Sequence, residues 1–511
     1  MSSVTELSVE TPVVDTAQGK VRGRRADGVS VFKGLRYGAP TGGANRFRPP
    51  QPVEPWAGVQ DAFEYGHQSP QMRSMLADKG PMSEDCLRLN IWTPNTDNAG
   101  RPVMLWFHGG GFEAGSGSQK VYDGTRLALR GDVVVVGLNH RLNVFGHCFL
   151  GERLGPDYAA AGNVGYLDLI AAMRWVRDNI AAFGGAPDNV TLFGQSGGGR
   201  KVSLCYAGND AEGLFQRGIV QSGSHLRVQS PEHAASLTDA LLKILDIAPN
   251  QVERLLDVSV DALSAAQIKV MRETRSRFSP VLDGLAFQAH PFLPDAPARS
   301  NHLPMMVGTT RTELSNQLGY QEGVFDMDEA EMKRRLAKFI PAEDVEAAVR
   351  VFRADNPDAS PTEVYFTVTS ARGYVLDQTI MAEQRVRANA APTFVYQLTW
   401  RSPAEDGRKI SQHTLDLPFM FDNVAYATHL TGPESDETRA MAQAMAESWI
   451  SFARTGDPNN AAIPEWPAYD LAERPVMLFE VPPRLAHDPH AAEREFMARY
   501  ETQQMGRTLH R

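Results

Sequence analysis

The chain is poor in cysteine. Only Cys86, Cys148 and Cys205 occur in 511 residues, too few and too scattered for a disulfide framework or a cysteine-ligated metal. The pairings H-E-x-x-H and H-x-x-E-H are missing, so no metal site is expected. Basic residues are in deficit: 51 Lys and Arg against 61 Asp and Glu give a net charge of −10, which disfavours nucleic acid and anionic lipid as partners. No apolar run approaches the length of a membrane span, the longest clear one being residues 133–136. The start Met1-Ser2-Ser3-Val4-Thr5-Glu6-Leu7 has neither a basic opening nor an apolar core, so it is not read as a signal peptide. Linkers rich in Pro, Ser or Gly, repeats and low-complexity tracts are also lacking, although length alone suggests about three domains.

Hydrophobic residues make up 42% of the chain, enough for a large core. Short β-rich runs are predicted at 103–107, 133–138, 190–193, 218–221, 305–307 and 393–398, several too apolar to face water. Amphipathic helices lie between them. From Val164 to Ala182, Leu167, Ile170, Ala171, Trp175 and Ile180 recur near helical spacing before Gly184-Gly185. Ser435 and Asp436 can cap a second helix through Met441, Met445 and Trp449, closed by Gly456 and Pro458. Such alternation predicts an α/β fold with a central, mostly parallel, twisted sheet flanked by helices.

The run Val190-Thr191-Leu192-Phe193-Gly194-Gln195-Ser196-Gly197-Gly198-Gly199 is a short strand entering a G-x-S-x-G turn. A tight strand-to-helix turn holds the serine hydroxyl above the sheet, at a helix N-terminus that favours developing negative charge. The pentapeptide alone is weak, since most such matches are ordinary loops; the strand before it makes Ser196 a candidate nucleophile. Upstream, Pro102-Val103-Met104-Leu105-Trp106-Phe107 runs into His108-Gly109-Gly110-Gly111-Phe112. Three glycines in a row leave backbone N–H groups bare, so Gly110 and Gly111, with Gly197, are the expected oxyanion donors. The same glycines also fit a dinucleotide G-x-G-x-x-A turn. That turn must open a helix, and Gly115-Ser116-Gly117-Ser118 would not sustain one. No cofactor is expected.

These motifs, in this order, resemble the type-B carboxylesterases, the cholinesterase-like branch of the α/β-hydrolases. The likeness runs from Phe32-Lys33-Gly34-Leu35-Arg36-Tyr37 to Phe452-Ala453-Arg454-Thr455-Gly456-Asp457-Pro458. It includes Glu84-Asp85-Cys86-Leu87-Arg88-Leu89-Asn90-Ile91-Trp92, Gly162-Asn163, Asp168, Ala182-Phe183-Gly184-Gly185 and Gln221-Ser222-Gly223-Ser224. The resemblance implies one large domain over residues 1–511, with helical lid insertions, part of them between Ser230 and Asp355. It places the triad acid at Glu313, closing Met305-Met306-Val307-Gly308-Thr309-Thr310-Arg311-Thr312-Glu313. It places the base at His413, opening His413-Thr414-Leu415-Asp416-Leu417-Pro418. His413 would shuttle the Ser196 proton while Glu313 fixes its tautomer. Read without the motif, Glu313 is an ordinary surface charge and His413 one histidine among 13. Asp416 competes as acid; three positions from the base it would face away unless the backbone is helical, and Pro418 argues against helix. Ser222 is implied as a buried serine hydrogen-bonding near the acid and the histidine, or else is a turn serine.

Departures from the family pattern narrow the substrate. Gln195 stands where cholinesterases carry a glutamate, and residues 69–85 hold no aromatic to grip a quaternary ammonium, so choline esters are disfavoured. Thr414 replaces the glycine usual after the histidine. Gln195, Gly197-Gly198-Gly199 and Lys201 resemble a bacterial subgroup of p-nitrobenzyl-esterase-like and carbamate-cleaving enzymes. Secreted members pair the E-D-C-L cysteine with one in the preceding loop; Ser69 occupies that position, which supports a cytoplasmic, bacterial enzyme. The expected activity is hydrolysis of small to medium neutral carboxylic esters through an acyl-enzyme. The alternative is carbamate or anilide hydrolysis by the same residues, and a non-catalytic adhesion protein is disfavoured because all three triad residues are present.

Overall fold

Along the strand Arg101–Phe107 every residue is buried. Val103, Leu105 and Phe107 join one apolar cluster, Met104 and Trp106 another, as the two-residue pleat period requires. A strand apolar on both faces needs cover on both, so this segment belongs inside a sheet sandwiched by helices. The coordinates are a computed structural model and describe residues 11–72, 80–151 and 153–503. The N-terminal run Met1–Leu7 and the middle of the 69–85 loop fall outside them.

Eleven strands form that sheet: β1 (Arg24–Ala26), β2 (Val29–Arg36), β3 (Arg88–Thr93), β4 (Arg101–Phe107), β5 (Val134–Leu138), β6 (Gly185–Gln195), β7 (Arg217–Gln221), β8 (Met305–Thr310), β9 (Thr393–Leu398), β10 (Pro475–Phe479) and β11 (Arg484–His487). Their order is β11-β10-β9-β8-β7-β6-β4-β5-β3-β2-β1. From β5 through β4 and β6 to β10 all pairings are parallel. The strands beyond them at either edge pair antiparallel. A separate small sheet joins Val13–Asp15, Lys20–Arg22 and Val59–Asp61.

Two helices cover opposite faces. Helix α1 (Val164–Asn179) packs Leu169, Ile170, Met173 and Val176 into the first cluster and continues as a 3-10 turn to Phe183 before Gly184 (φ 82°) stops it. On the other face, α5 (Asp436–Thr455) is capped by Ser435, whose hydroxyl accepts from the Thr438 N–H, and it ends at Gly456 (φ 84°). Both helices match the sequence pattern. Between them in the chain lie α2 (Gly197–Ala207), α3 (Pro361–Ser370) and α4 (Leu376–Arg387). Residues 371–375 join α3 to α4 as one wide π turn. Away from the sheet, helices Pro231–Ile244 and Val260–Thr274 build one satellite cluster, and Glu329–Leu336, Val345–Ala354 and α3 another. Among the described residues no helix is long and apolar enough to cross a membrane.

Candidate active site

Parallel strands deliver their carboxyl ends to one rim of the sheet, where ligand sites of open α/β sheets form. Here β4, β6, β7, β8 and β9 are consecutive neighbours. They run, in that order, into the glycine loop, Ser196, Ser222, the Glu313 segment and the stretch leading to His413. The β4–β6 register, Phe107 opposite Gly194, sets the glycine loop beside the serine turn.

Ser196 follows β6 directly and α2 begins at Gly197. Its backbone (φ 58°, ψ −120°) is one that costs a non-glycine residue about 1–3 kcal/mol. That strain is held by both peptide groups: the Ser196 N–H donates to the Gln221 carbonyl (2.8 Å), and its carbonyl accepts from the Arg200 N–H (3.0 Å). The side chain stays half-buried. Gly197 lies so close to the glycine loop that a Cβ there would collide with the backbone N and O of Gly111. Gly110 and Gly111 themselves adopt φ 91° and 64°, a backbone that glycine reaches without strain. Among the described residues no turn, loop or cap carbonyl accepts from the N–H of Gly110, Gly111 or Gly197.

Glu313 is fully buried and His413 nearly so. The Glu313 Oε2 meets His413 Nδ1 in a short hydrogen bond, and Oε1 accepts from the Thr310 N–H at 2.7 Å. Their loops are stitched together. The Thr312 N–H donates to the Ser411 carbonyl (3.1 Å), the Ser411 N–H returns to Thr312 Oγ1 (2.9 Å), and Ser315 Oγ donates to the Lys409 carbonyl (2.7 Å). A carboxylate only accepts, so Nδ1 carries the hydrogen and Nε2 is left as the basic atom. Among the described residues Ser196 Oγ makes no hydrogen bond to that atom. What joins the two is Gln195: its Nε2 lies 3.4 Å from Nδ1 and 3.3 Å from Nε2. The amide nitrogen is thus nearly equidistant from both ring nitrogens, and the Tyr374 ring also packs against the imidazole, centroids 5.2 Å apart. Neither contact was foreseen; Gln195 was read as a missing charge and as a feature of the bacterial subgroup, and no short-range pattern marks Tyr374.

No helix joins His413 to Asp416, as expected: residues 413–416 form a turn with Thr414 at φ 76°, and the short helix Leu417–Met420, with Pro418 in its first turn, begins beyond them. Asp416 is turned from His413: its Oδ2 accepts from Gln221 Nε2 (2.6 Å), and Gln221 Oε1 in turn accepts from Trp449 Nε1 (3.0 Å). Burial pushes the Asp416 carboxyl up to about 6, with Glu313 adding to the rise and Gln221 and His413 opposing it. Ser222 is buried with φ 49°, but its Oγ finds no partner among the described residues. Both Glu313 oxygens are already engaged, by His413 and by Thr310. The hydroxyl faces a small cavity lined by Arg200, Gly223, Ser224, Tyr374 and Asp377 instead.

Cys86 meets Ser69, whose hydroxyl lies within hydrogen-bonding reach of the thiol, and all three cysteines are buried and free. Potential metal ligands within 4.8 Å of one another occur, among the described residues, only at Asp355, His490 and Glu493. Both Glu493 oxygens accept from Arg311 (2.7 and 2.6 Å), and this ion pair accounts for the grouping.

A carboxylesterase family model matches residues 10–497. The chain belongs to the carboxylesterase family. This carboxylesterase is 34% identical to the para-nitrobenzyl esterase of Bacillus subtilis, over 94% of the chain and 98% of that protein. It is 31% identical to a phenmedipham hydrolase of Pseudarthrobacter oxydans, over 92% and 95%. The crystal structure of a Geobacillus stearothermophilus carboxylesterase superposes with a TM-score of 0.83 at 35% identity, covering 95% of this chain and 99% of that one. The carboxylesterase therefore has the α/β-hydrolase fold and is a carboxylic ester hydrolase.

Proposed function

We propose that ester cleavage runs through a Ser196–His413–Glu313 triad and an acyl-enzyme. The observation that carries this reading is the buried Glu313–His413 hydrogen bond, stitched to the loop that follows β8 and one residue's reach from Ser196. The Ser196 Oγ attacks the ester carbonyl and His413 Nε2 takes its proton. Glu313, hydrogen-bonded at Nδ1, fixes that tautomer and stabilises the imidazolium. The carbonyl oxygen, now negative, is held by the N–H groups of Gly110, Gly111 and Gly197, each such donor contributing about 2.7–4 kcal/mol of barrier lowering. The imidazolium then protonates the leaving alcohol. Water, activated by the same His413, frees Ser196. The absence of a direct Ser196–His413 bond is compatible with this, since such bonds are commonly loose before substrate arrives.

Gln195 leaves the pocket without the charge of a glutamate, which favours small to medium neutral esters. The Ser69–Cys86 contact, in place of a second thiol, supports a cytoplasmic setting. Carbamate or anilide hydrolysis by the same residues is the second reading, favoured by the likeness to a phenmedipham hydrolase.

Ser196→Ala should abolish p-nitrophenyl acetate turnover and fluorophosphonate labelling while leaving the circular dichroism spectrum unchanged. Turnover retained in that variant overturns the triad. A panel of matched esters, carbamates and anilides separates the two substrate readings by kcat/KM.

A further inference from the structure

Lys201 is buried to 1% exposure on α2, four residues beyond Gly197. Its Nζ donates to the His108 carbonyl at 2.9 Å. His108 follows β4 and leads into the glycine run, so this bond grips the base of the glycine loop. The Phe112 ring, at the loop's other end, lies 5.9 Å from the same nitrogen. Among the described residues no carboxylate comes within ion-pairing distance of Lys201.

A buried ammonium is costly, and a glutamine would satisfy the same carbonyl at lower expense. Its neighbours explain how the charge is tolerated and why it is not neutralised by a counter-ion. His108, His140 and His147 each direct Nδ1 at a backbone carbonyl, of Gly109 (2.9 Å), Arg141 (2.8 Å) and Gly162 (3.1 Å). Each Nδ1 therefore carries the hydrogen, and each Nε2 is a lone pair with no partner among the described residues. Burial holds all three imidazoles neutral, and the Lys201 charge adds to that. The ammonium thus has the His108 carbonyl as its acceptor and no carboxylate beside it among the described residues.

We propose that Lys201 is a positioning residue for the oxyanion loop: its ammonium anchors the His108 carbonyl and lends the glycine N–H groups a positive potential felt by the oxyanion as it forms. The proposal rests on the triad reading above. No proton or bond of the reaction passes through Lys201. In a water-poor interior its field reaches the site at undiminished sign, and it acts more on the charged intermediate than on the neutral ester. Burial, helped by repulsion from Arg200, brings the amine down to about 7. The group is charged below that pH and neutral above it, so the support is present at lower pH and lost as pH rises.

The test is kcat against pH, with p-nitrophenyl acetate, for the wild type, Lys201→Met and Lys201→Arg. Lys201→Met should lower kcat about tenfold, less than the hundredfold or more that removing a donor costs, with KM little changed. It should also bind a trifluoromethyl ketone, which forms an oxyanion on Ser196, about tenfold more weakly, in keeping with that loss in kcat. The wild type should lose kcat on the alkaline side near neutrality. Lys201→Arg, which cannot deprotonate, should keep its rate there. Wild-type kcat and ketone affinity retained in Lys201→Met overturn the proposal. If Lys201→Met fails to fold, a wild-type kcat that is flat above neutral pH overturns it alone. Loss of the triad is a separate outcome, read from Ser196→Ala: turnover surviving there removes the parent reading whatever Lys201 does.

Discussion

At the scale of single residues, several site positions depart from ordinary backbone or charge rules. Ser196, Ser222 and Thr414 have φ of 58°, 49° and 76°, all in the left-handed region that side chains avoid. The G-x-S-x-G pattern announces the first of these, and the familiar glycine at 414 announces the last: the local conformation is one glycine prefers, and threonine is held in it here. Glu313 is not recognisable from its own neighbourhood. Only its order after Ser196 and the family motif single it out, because its partner is 100 residues away. Asp416 was set aside because a residue three positions from the base faces away unless the backbone is helical, and residues 413–416 are a non-helical turn, with Pro418 in the short helix beyond it. Asp416 carries its own consequence. Its carboxyl is raised from 3.8 to about 6, so the folded protein holds that proton more tightly than the unfolded chain does. Stability from this group is therefore present at low pH and is lost as pH rises from about 4 to about 6, by about 3 kcal/mol in all. Asp416→Asn keeps an acceptor for Gln221 and has no charge to bury. The difference in Tm between Asp416→Asn and wild type should grow more positive from pH 4 to pH 8; a constant difference contradicts the buried-charge account.

Among the secondary-structure elements, the central strands were the easiest to read. Residues 393–398 are a strand with the bounds foreseen, and 103–107 lacks only the first two residues of β4. The strand expected at 190–193 extends to Gly185–Gln195, because Arg101 pairs with Gly185 before the apolar run begins. Apolar patterning sees burial, and the hydrogen-bond ladder outlasts it. The π turn at 371–375 was invisible for the same reason. Its residues Ala371-Arg372-Gly373-Tyr374-Val375 carry no signature, and the turn is defined by a one-residue excess in a helix. Function gives that excess a meaning, because it presents Tyr374 to the His413 ring. Deleting Gly373 should restore an ordinary α-helical register through α3 and α4, keep the far-ultraviolet helix signal, and lower kcat for p-nitrophenyl acetate at least tenfold as the imidazole loses its cover. Full activity in the deletion variant would show that Tyr374 is dispensable.

Across the whole molecule, the plan of parallel strands under two layers of helix followed from composition and alternation, whereas the satellite clusters did not. Helices 231–244, 260–274, 329–336 and 345–354 pack chiefly on each other, so their apolar stripes say nothing about where they dock. The cysteines belong to this scale because they are enclosed by two different parts of the core. Cys86 and Cys205 lie in the first cluster and Cys148 in a satellite one. Burial raises all three thiols, Cys148 to about 12 and the others further. Dithionitrobenzoate should find no reactive thiol in the native protein and three after unfolding in guanidinium; rapid native reaction of even one contradicts the packing described.

The reactive groups also arrive in a fixed sequence in time. A ribosome working at about 5–20 residues per second delivers Ser196 on the order of ten seconds or more before His413. Throughout that interval the hydroxyl sits on a growing chain with no imidazole to deprotonate it. Under the proposed triad the nascent polypeptide thus stays inert toward esters until residue 413 has been made.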